Sequence, residues 1–71
     1  MNKDKFISRN AMDKIMREAG ALRVSDAAKE ALAEVLERKA LELSKEAKRF
    51  AEHAGRKTIT NKDILLAAKE E

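Results

Sequence analysis

The strongest constraint on this chain is a run from Asp26 to Ala54 that contains no helix breaker. Apolar residues recur along it at steps of three and four, the spacing of a helical stripe that packs against protein: Ala28, Leu32, Val35, Leu36, Ala40, Leu43, Ala47, Phe50, Ala51 and Ala54. Ser25 is a favourable N-cap, and Gly55 can end the helix. At 1.5 Å per residue the helix would be roughly 43 Å long. That length exceeds the diameter of a globule built from one chain of this size.

A short helix is predicted before this long one, from about Ser8 to Ala19. Its apolar residues again follow helical spacing: Ala11, Met12, Ile15, Met16 and Ala19. Gly20 then ends the helix in the left-handed conformation that glycine tolerates best. Residues Leu22 to Val24 are predicted to form a short extended connection to Ser25.

A second short helix is predicted after Gly55. The connection extends through Ile59, and Thr60 caps the helix. The sequence from Thr60 to Asp63 resembles a capping box in which Asp replaces the usual Glu. An apolar face is expected on this helix, formed by Ile64, Leu65 and Ala68. The fold class is therefore all-α, in a single domain over residues 1–71, with residues 1–7 a flexible arm or an extension of the first helix.

The size of the chain favours association with a second copy. A domain of 71 residues buries only about 60% of its unfolded surface, so its own core is marginal. With no Cys, no disulfide can compensate. Two short helices cannot cover a helix three times their length, whereas a second copy laid across it can. The sequence predicts an intertwined homodimer.

Composition excludes several classes of function. No stretch has the roughly 20 apolar residues of a membrane span, and no nucleophile–base pair, metal-ligand cluster or phosphate-binding loop is present. We therefore expect no enzyme activity, cofactor, metal site, small-molecule substrate or membrane partner, and a cytoplasmic location. The net charge is +3. Residues 21–54 carry seven cations and seven anions, so the positive surplus lies in the two flanking segments.

Several short sequences, in the same order, resemble the archaeal-type histones. They are Ala19-Gly20-Ala21, Arg23-Val24-Ser25-Asp26 and His53-Ala54-Gly55-Arg56-Lys57-Thr58-Ile59, with Asp63 completing an Arg-x-Thr-x4-Asp pattern. The resemblance covers about residues 11 to 69. It implies the histone fold, in which two chains clasp antiparallel in a handshake dimer. It also implies binding to double-stranded DNA in the nucleoid, with little sequence preference.

The resemblance assigns DNA contacts to the two connections and to the first helix. Leu22 to Val24 of one chain would pair as a short strand with Thr58 to Thr60 of the other, which places Arg23 beside Lys57 and Thr58. Arginine suits a narrow minor groove, and backbone N–H groups and hydroxyls suit phosphate oxygens. A third, central patch would contain Lys14 and Arg17, although both could also be ordinary solvated cations.

The resemblance gives the other polar residues of the second connection structural and assembly roles. Arg56 is expected to form an ion pair with Asp63 in preference to binding phosphate. Phe50, His53 and Asp63 are expected at a dimer–dimer contact, in which His53 hydrogen-bonds Asp63 of a neighbouring dimer and builds a tetramer or larger assembly. Simple packing within its own chain is the alternative for His53.

Two departures from the family leave the mode of assembly open. The stretch Ile7-Ser8-Arg9-Asn10-Ala11 lacks the Leu-Pro-x-Ala-Pro sequence with which many archaeal-type histones begin, and Lys14 replaces an arginine. The chain is compatible with dimers stacked end to end along wrapped DNA and with the closed tetramers of the face-to-face histones. A different function also stays open, that of a histone-fold protein whose main partner is another protein.

Overall fold

Three helices make up the regular structure of residues 7–69, the part of the chain that the computed structural model describes. They are α1 (Arg9–Glu18), α2 (Asp26–His53) and α3 (Asn61–Lys69). The all-α class and the order short, long, short are confirmed, because each predicted boundary lies within a residue of the observed one. No strand occurs within residues 7–69. The predicted pairing of the two connections involves two chains and stays a prediction, and most of the predicted N-terminal arm lies outside the described residues.

The first two helices end in the same hydrogen-bonded motif. After α1, the N–H of Gly20 donates to the carbonyl of Arg17 at 2.9 Å, and that of Ala21 donates to Met16 at 3.0 Å. After α2, Gly55 and Arg56 donate to Glu52 and Ala51 in the same pattern, both at 2.9 Å. This is the Schellman motif, which needs a residue with positive φ. Gly20 has φ of 104° and Gly55 has φ of 75°.

Replacing Gly55 with Ala is expected to destabilise the protein by about 1 kcal/mol. A Cβ at this position would meet no atom within 4 Å, so the cost comes from backbone strain at positive φ and not from a clash. Gly55→Asn is the matched variant, since asparagine tolerates this conformation better. Chemical unfolding at one fixed protein concentration should give the stability order Gly, Asn, Ala. Equal stability of all three proteins would contradict the assignment.

Serine side chains begin the first two helices. The Oγ atoms of Ser8 and Ser25 accept hydrogen bonds from the backbone N–H groups of Ala11 and Ala28, both at 3.0 Å. Each bond satisfies a donor that the first turn of a helix leaves without a partner. The predicted N-cap at Ser25 is thus confirmed.

The chain divides into two units, Met1–Arg38 and Lys39–Glu71, whose border falls within α2. In the first unit Met12 and Ala33 are buried; in the second the buried apolar residues are Ala47, Ala51 and Ala67. Because few described residues are buried, and all of them except Met12 have small side chains, the core of each unit is small. The prediction of one domain over the whole chain stays a prediction.

The residues predicted to form the apolar face of α3 are not covered by the same chain. The buried residues of α3 are Asp63 and Ala67, whereas Ile64, Leu65 and Ala68 are exposed. Helical spacing identifies which residues are apolar, but it does not show which of them the same chain covers. Leu65 is 64% exposed, so this face lacks cover within the chain.

Large apolar side chains are exposed in both units. Leu22 is 87% exposed and Leu41 58%, and the same description applies to Ile15, Val35, Ile59, Ile64, Leu65 and Leu66. Single exposed apolar residues are common on protein surfaces, but so many in a short chain suggest a partner. None of the helices in residues 7–69 is both long enough and apolar enough to cross a membrane.

Candidate nucleic-acid interface

Arg17 connects the end of α1 to the first connection. Its Nε donates a hydrogen bond to a carboxylate oxygen of Asp13 at 2.9 Å, and its Nη1 donates to the backbone carbonyl of Leu22 at 3.2 Å. Both hydrogen bonds are donated by one rigid, planar guanidinium group. The position of the Leu22 carbonyl is therefore coupled to the side chain of Asp13.

Lys29 links the same carboxylate to the first turn of α2. Its Nζ lies 3.7 Å from Oδ1 of Asp13 and 3.4 Å from a carboxylate oxygen of Asp26. Oδ1 of Asp13 is buried and accepts no hydrogen bond from the described part of the chain, so Lys29 compensates it by charge alone. The hydrogen bond from Arg17, more than any other contact, lowers the pKa of Asp13 below its usual value. The carboxylate is thus ionised at neutral pH.

Two predicted DNA contacts lie in the same part of the chain as Asp13 and Arg17, and both are exposed. Lys14 lies on α1 and Arg23 in the first connection, and both side chains face solvent. Arg23 also lines a shallow depression together with Met16, Ala21, Val24, Ser25 and Ala28. The depression is formed by the end of α1, the connection and the start of α2. A cation is thus presented beside the capped N-terminus of α2, where the helix dipole also favours an anion.

In the second connection, Arg56 forms a bidentate ion pair with Asp63. Its Nη1 and Nη2 donate to the two carboxylate oxygens at 2.9 and 3.1 Å. Nη1 also donates to the backbone carbonyl of Thr58 at 3.0 Å. This is the geometry of the predicted ion pair, and it links the connection to the first turn of α3.

Asp63 is a buried carboxylate with four hydrogen bonds. It is only 4% exposed. Besides Arg56, the backbone N–H and the hydroxyl of Thr60 donate to its Oδ2 at 2.8 and 3.2 Å. The bond from the Thr60 N–H is one half of the predicted capping box. The other half is absent, because the Thr60 hydroxyl donates to the carboxylate and does not accept from the N–H of Asp63.

These contacts hold the pKa of Asp63 well below its ordinary value of 3.8. The hydrogen bond from Arg56 has the largest effect, followed by the N–H of Thr60, and burial opposes both. A depressed pKa means that the folded state favours the ionised form. The stabilisation is therefore complete above the unfolded pKa and declines as the pH falls below it.

Acid unfolding should show this contribution. The contribution of Asp63 to the melting temperature of the wild-type protein is expected to be constant above about pH 5 and to decline below pH 3.8. Asp63→Asn keeps the shape of the side chain but cannot titrate, so its melting temperature should depend less on pH in the same range. Thermal melts from pH 6 to pH 2 would measure both curves. Parallel curves would show that Asp63 contributes nothing to the acid dependence.

Lys57 and Thr58 lie in this second connection, which Arg56 holds in place. Both residues are exposed, while the Thr58 carbonyl is bonded to Arg56. Their backbone is restrained and their side chains face solvent. That combination suits phosphate binding, because little conformational entropy is then lost on contact.

The predicted assembly residues lie close to the end of α2. Phe50 is half-buried and His53, the last residue of the helix, is exposed. The guanidinium of Arg49 lies 5.8 Å from the centre of the Phe50 ring. Of the Asp63 oxygens, Oδ2 accepts three of the four hydrogen bonds and Oδ1 accepts one, from Arg56. Oδ1 accepts fewer hydrogen bonds than Oδ2 and so retains capacity for another donor.

Comparison with known proteins decides the family. Residues 6–68 match the family described as histone-like transcription factor (CBF/NF-Y) and archaeal histone. The chain belongs to this histone family. It is 53% identical over 58 residues to one of the chains of archaeal histone HAN1 from Thermococcus zilligii, covering 82% of this chain and 87% of that protein. It is 44% identical over 54 residues to probable archaeal histone 3 of Methanocaldococcus jannaschii, covering 76% of this chain and 81% of that one.

Family membership confirms the histone fold and gives this histone its general class, that of a DNA-binding chromatin protein.

The sequence interpretation missed the contacts of Arg17 and Lys29. Part of that signal was present, since Asp13 and Arg17 are four residues apart on one helix, a spacing at which opposite charges meet. The bond from Arg17 to the Leu22 carbonyl had no comparable signal.

Proposed function

We propose that this histone binds and compacts double-stranded DNA as an architectural protein with little sequence preference. The observation that carries the proposal is a pair of restrained connections that expose Arg23, Lys57 and Thr58. Lys14 supplies a further exposed cation on α1, and Arg17 lies beside it. Contacts of this kind address phosphates and groove shape, which gives affinity without base recognition. Such a protein is associated with the chromosome and needs neither a cofactor nor catalytic activity.

The DNA-binding unit is a homodimer. The exposed apolar residues of α1, α2 and α3 provide the surface that a second copy would cover, as the handshake arrangement requires. Burial of this surface supplies stability that the small cores of one chain lack. The same arrangement unites Arg23 of one chain with Lys57 and Thr58 of the other.

A dimer predicts two solution properties. Light scattering should give at least twice the 8.0 kDa mass of the chain, and the melting temperature should rise with protein concentration, because folding is then coupled to association. A protein of single-chain mass whose melting temperature is independent of concentration would contradict the handshake.

Larger assembly would use Phe50, His53 and Asp63 at a contact between dimers. The remaining acceptor capacity of Asp63 Oδ1 and the exposure of His53 support this contact. Micrococcal nuclease digestion of a reconstituted DNA complex tests the proposal. Protected fragments that rise in equal steps indicate end-to-end wrapping through this surface, and one discrete size indicates a closed tetramer. Absence of any protection at low salt would contradict DNA binding itself.

A further inference from the structure

We infer that Arg17 is a positioning residue for the DNA-binding connection, and that Asp13 controls it. The inference rests on the proposed DNA binding and assigns separate roles within it. Arg17 was predicted to contact DNA directly. Its bonds point instead to a role through the backbone of the neighbouring connection.

The bonds of Arg17 run in two directions. The guanidinium of Arg17 donates to Asp13 on one side and to the Leu22 carbonyl on the other. Leu22 immediately precedes Arg23, so fixing its carbonyl restricts the backbone from which the Arg23 side chain projects. The connection has no strand pairing within residues 7–69, and this bond is a restraint that the single chain itself provides.

Asp13 is a carboxylate placed between two cations. The side chain is only 20% exposed and lies between Arg17 and Lys29, which belong to α1 and α2. A carboxylate among cations on a DNA-binding surface reduces the attraction for phosphate. A structural role explains why Asp13 lies there: its carboxylate orients Arg17 and links α1 to the start of α2, the two helices that flank the connection. Asp13, Arg17 and Lys29 thus form a brace around the connection.

A positioning role for Arg17 and a direct contact between Arg17 and phosphate predict opposite effects of Asp13→Ala on DNA binding. If Arg17 binds phosphate, removal of an anion releases the guanidinium and should tighten DNA binding. If Arg17 positions the connection, the same variant should bind several-fold more weakly, although its net charge is more positive. Fluorescence anisotropy with a random-sequence duplex, well below the melting temperature, would measure the change.

Glu18→Ala is the matched control. Glu18 is an exposed residue at the end of the same helix, so the control removes the same charge without disturbing the brace. It should bind DNA as tightly as the wild type or slightly more tightly. Asp13→Asn, which retains the size of the side chain, should show the weakening of Asp13→Ala in milder form.

Two further readouts separate positioning from general stability. NMR backbone order parameters at residues 22–24 should fall in Asp13→Ala, while those in α3 stay unchanged. The slope of log K against log salt should keep the wild-type value, since no phosphate contact is lost. Tighter binding by Asp13→Ala, or unchanged order parameters at residues 22–24, would overturn the inference. Failure of the wild-type protein to bind DNA would instead overturn the proposed function.

Discussion

Removing Arg23 and Lys57 together is expected to weaken DNA binding by roughly a thousandfold or more at 0.1 M salt. Each residue occurs twice in the proposed dimer, so the double variant loses four cationic contacts. Every phosphate that a protein neutralises contributes about 0.9 to the slope of log K against log salt. At 0.1 M salt one contact is then worth about eightfold in affinity, and four multiply to a factor of several thousand.

The measurement is a salt series on one duplex, with the wild type and the double variant Arg23→Ala, Lys57→Ala. The slope should become shallower by about 3.6. The control removes Lys45 and Lys69, two exposed cations outside the predicted interface, and should change the affinity far less. If both double variants weakened binding equally, net charge and not the two connections would account for DNA binding.

Breaking the pair between Arg56 and Asp63 is expected to have the largest effect on stability. Removal of one partner leaves the other without its counter-charge, and Asp63 is almost fully buried. Asp63→Ala also removes the acceptor for the Thr60 N–H at the start of α3. Loss of one member of a buried, hydrogen-bonded pair is strongly destabilising, so we expect the melting temperature to fall by the order of 10 °C.

A double-mutant cycle tests this expectation. Arg56→Ala, Asp63→Ala and the combined variant are melted at the same protein concentration. The combined variant should be less destabilised than the sum of the two single variants, because it leaves no unpaired charge. Thr60→Val, which removes only one hydroxyl donor, should cost much less than Asp63→Ala. Strictly additive losses would show that the two side chains do not interact energetically.

Local signals explain why the sequence predicted the helices so closely. Gly20 and Gly55 end helices through a conformation that few other residues adopt, and Ser25 begins one through its own hydroxyl. These effects involve neighbours in the chain and need no knowledge of tertiary packing. The length of α2 follows from the absence of any breaker between Ser25 and Gly55.

The resemblance to histones, rather than periodicity, indicated the partnership of Arg56 and Asp63. Neither residue identity nor helical spacing shows that two groups seven positions apart meet across a turn. Helical spacing likewise identified Ile64 and Leu65 as apolar residues of α3, but it did not show whether the same chain or a second one covers them. The bond from Arg17 to Leu22 depends on how the chain turns after Gly20, which only the structure shows.

The most direct test of the central claim is the salt dependence of binding to two duplexes of unrelated sequence. We expect log K to fall linearly with log salt for the wild-type histone, with the same slope and nearly the same affinity on both duplexes. No binding at low salt would contradict the claim and favour a protein partner for this histone fold. A strong preference for one sequence would contradict recognition through phosphates and groove shape.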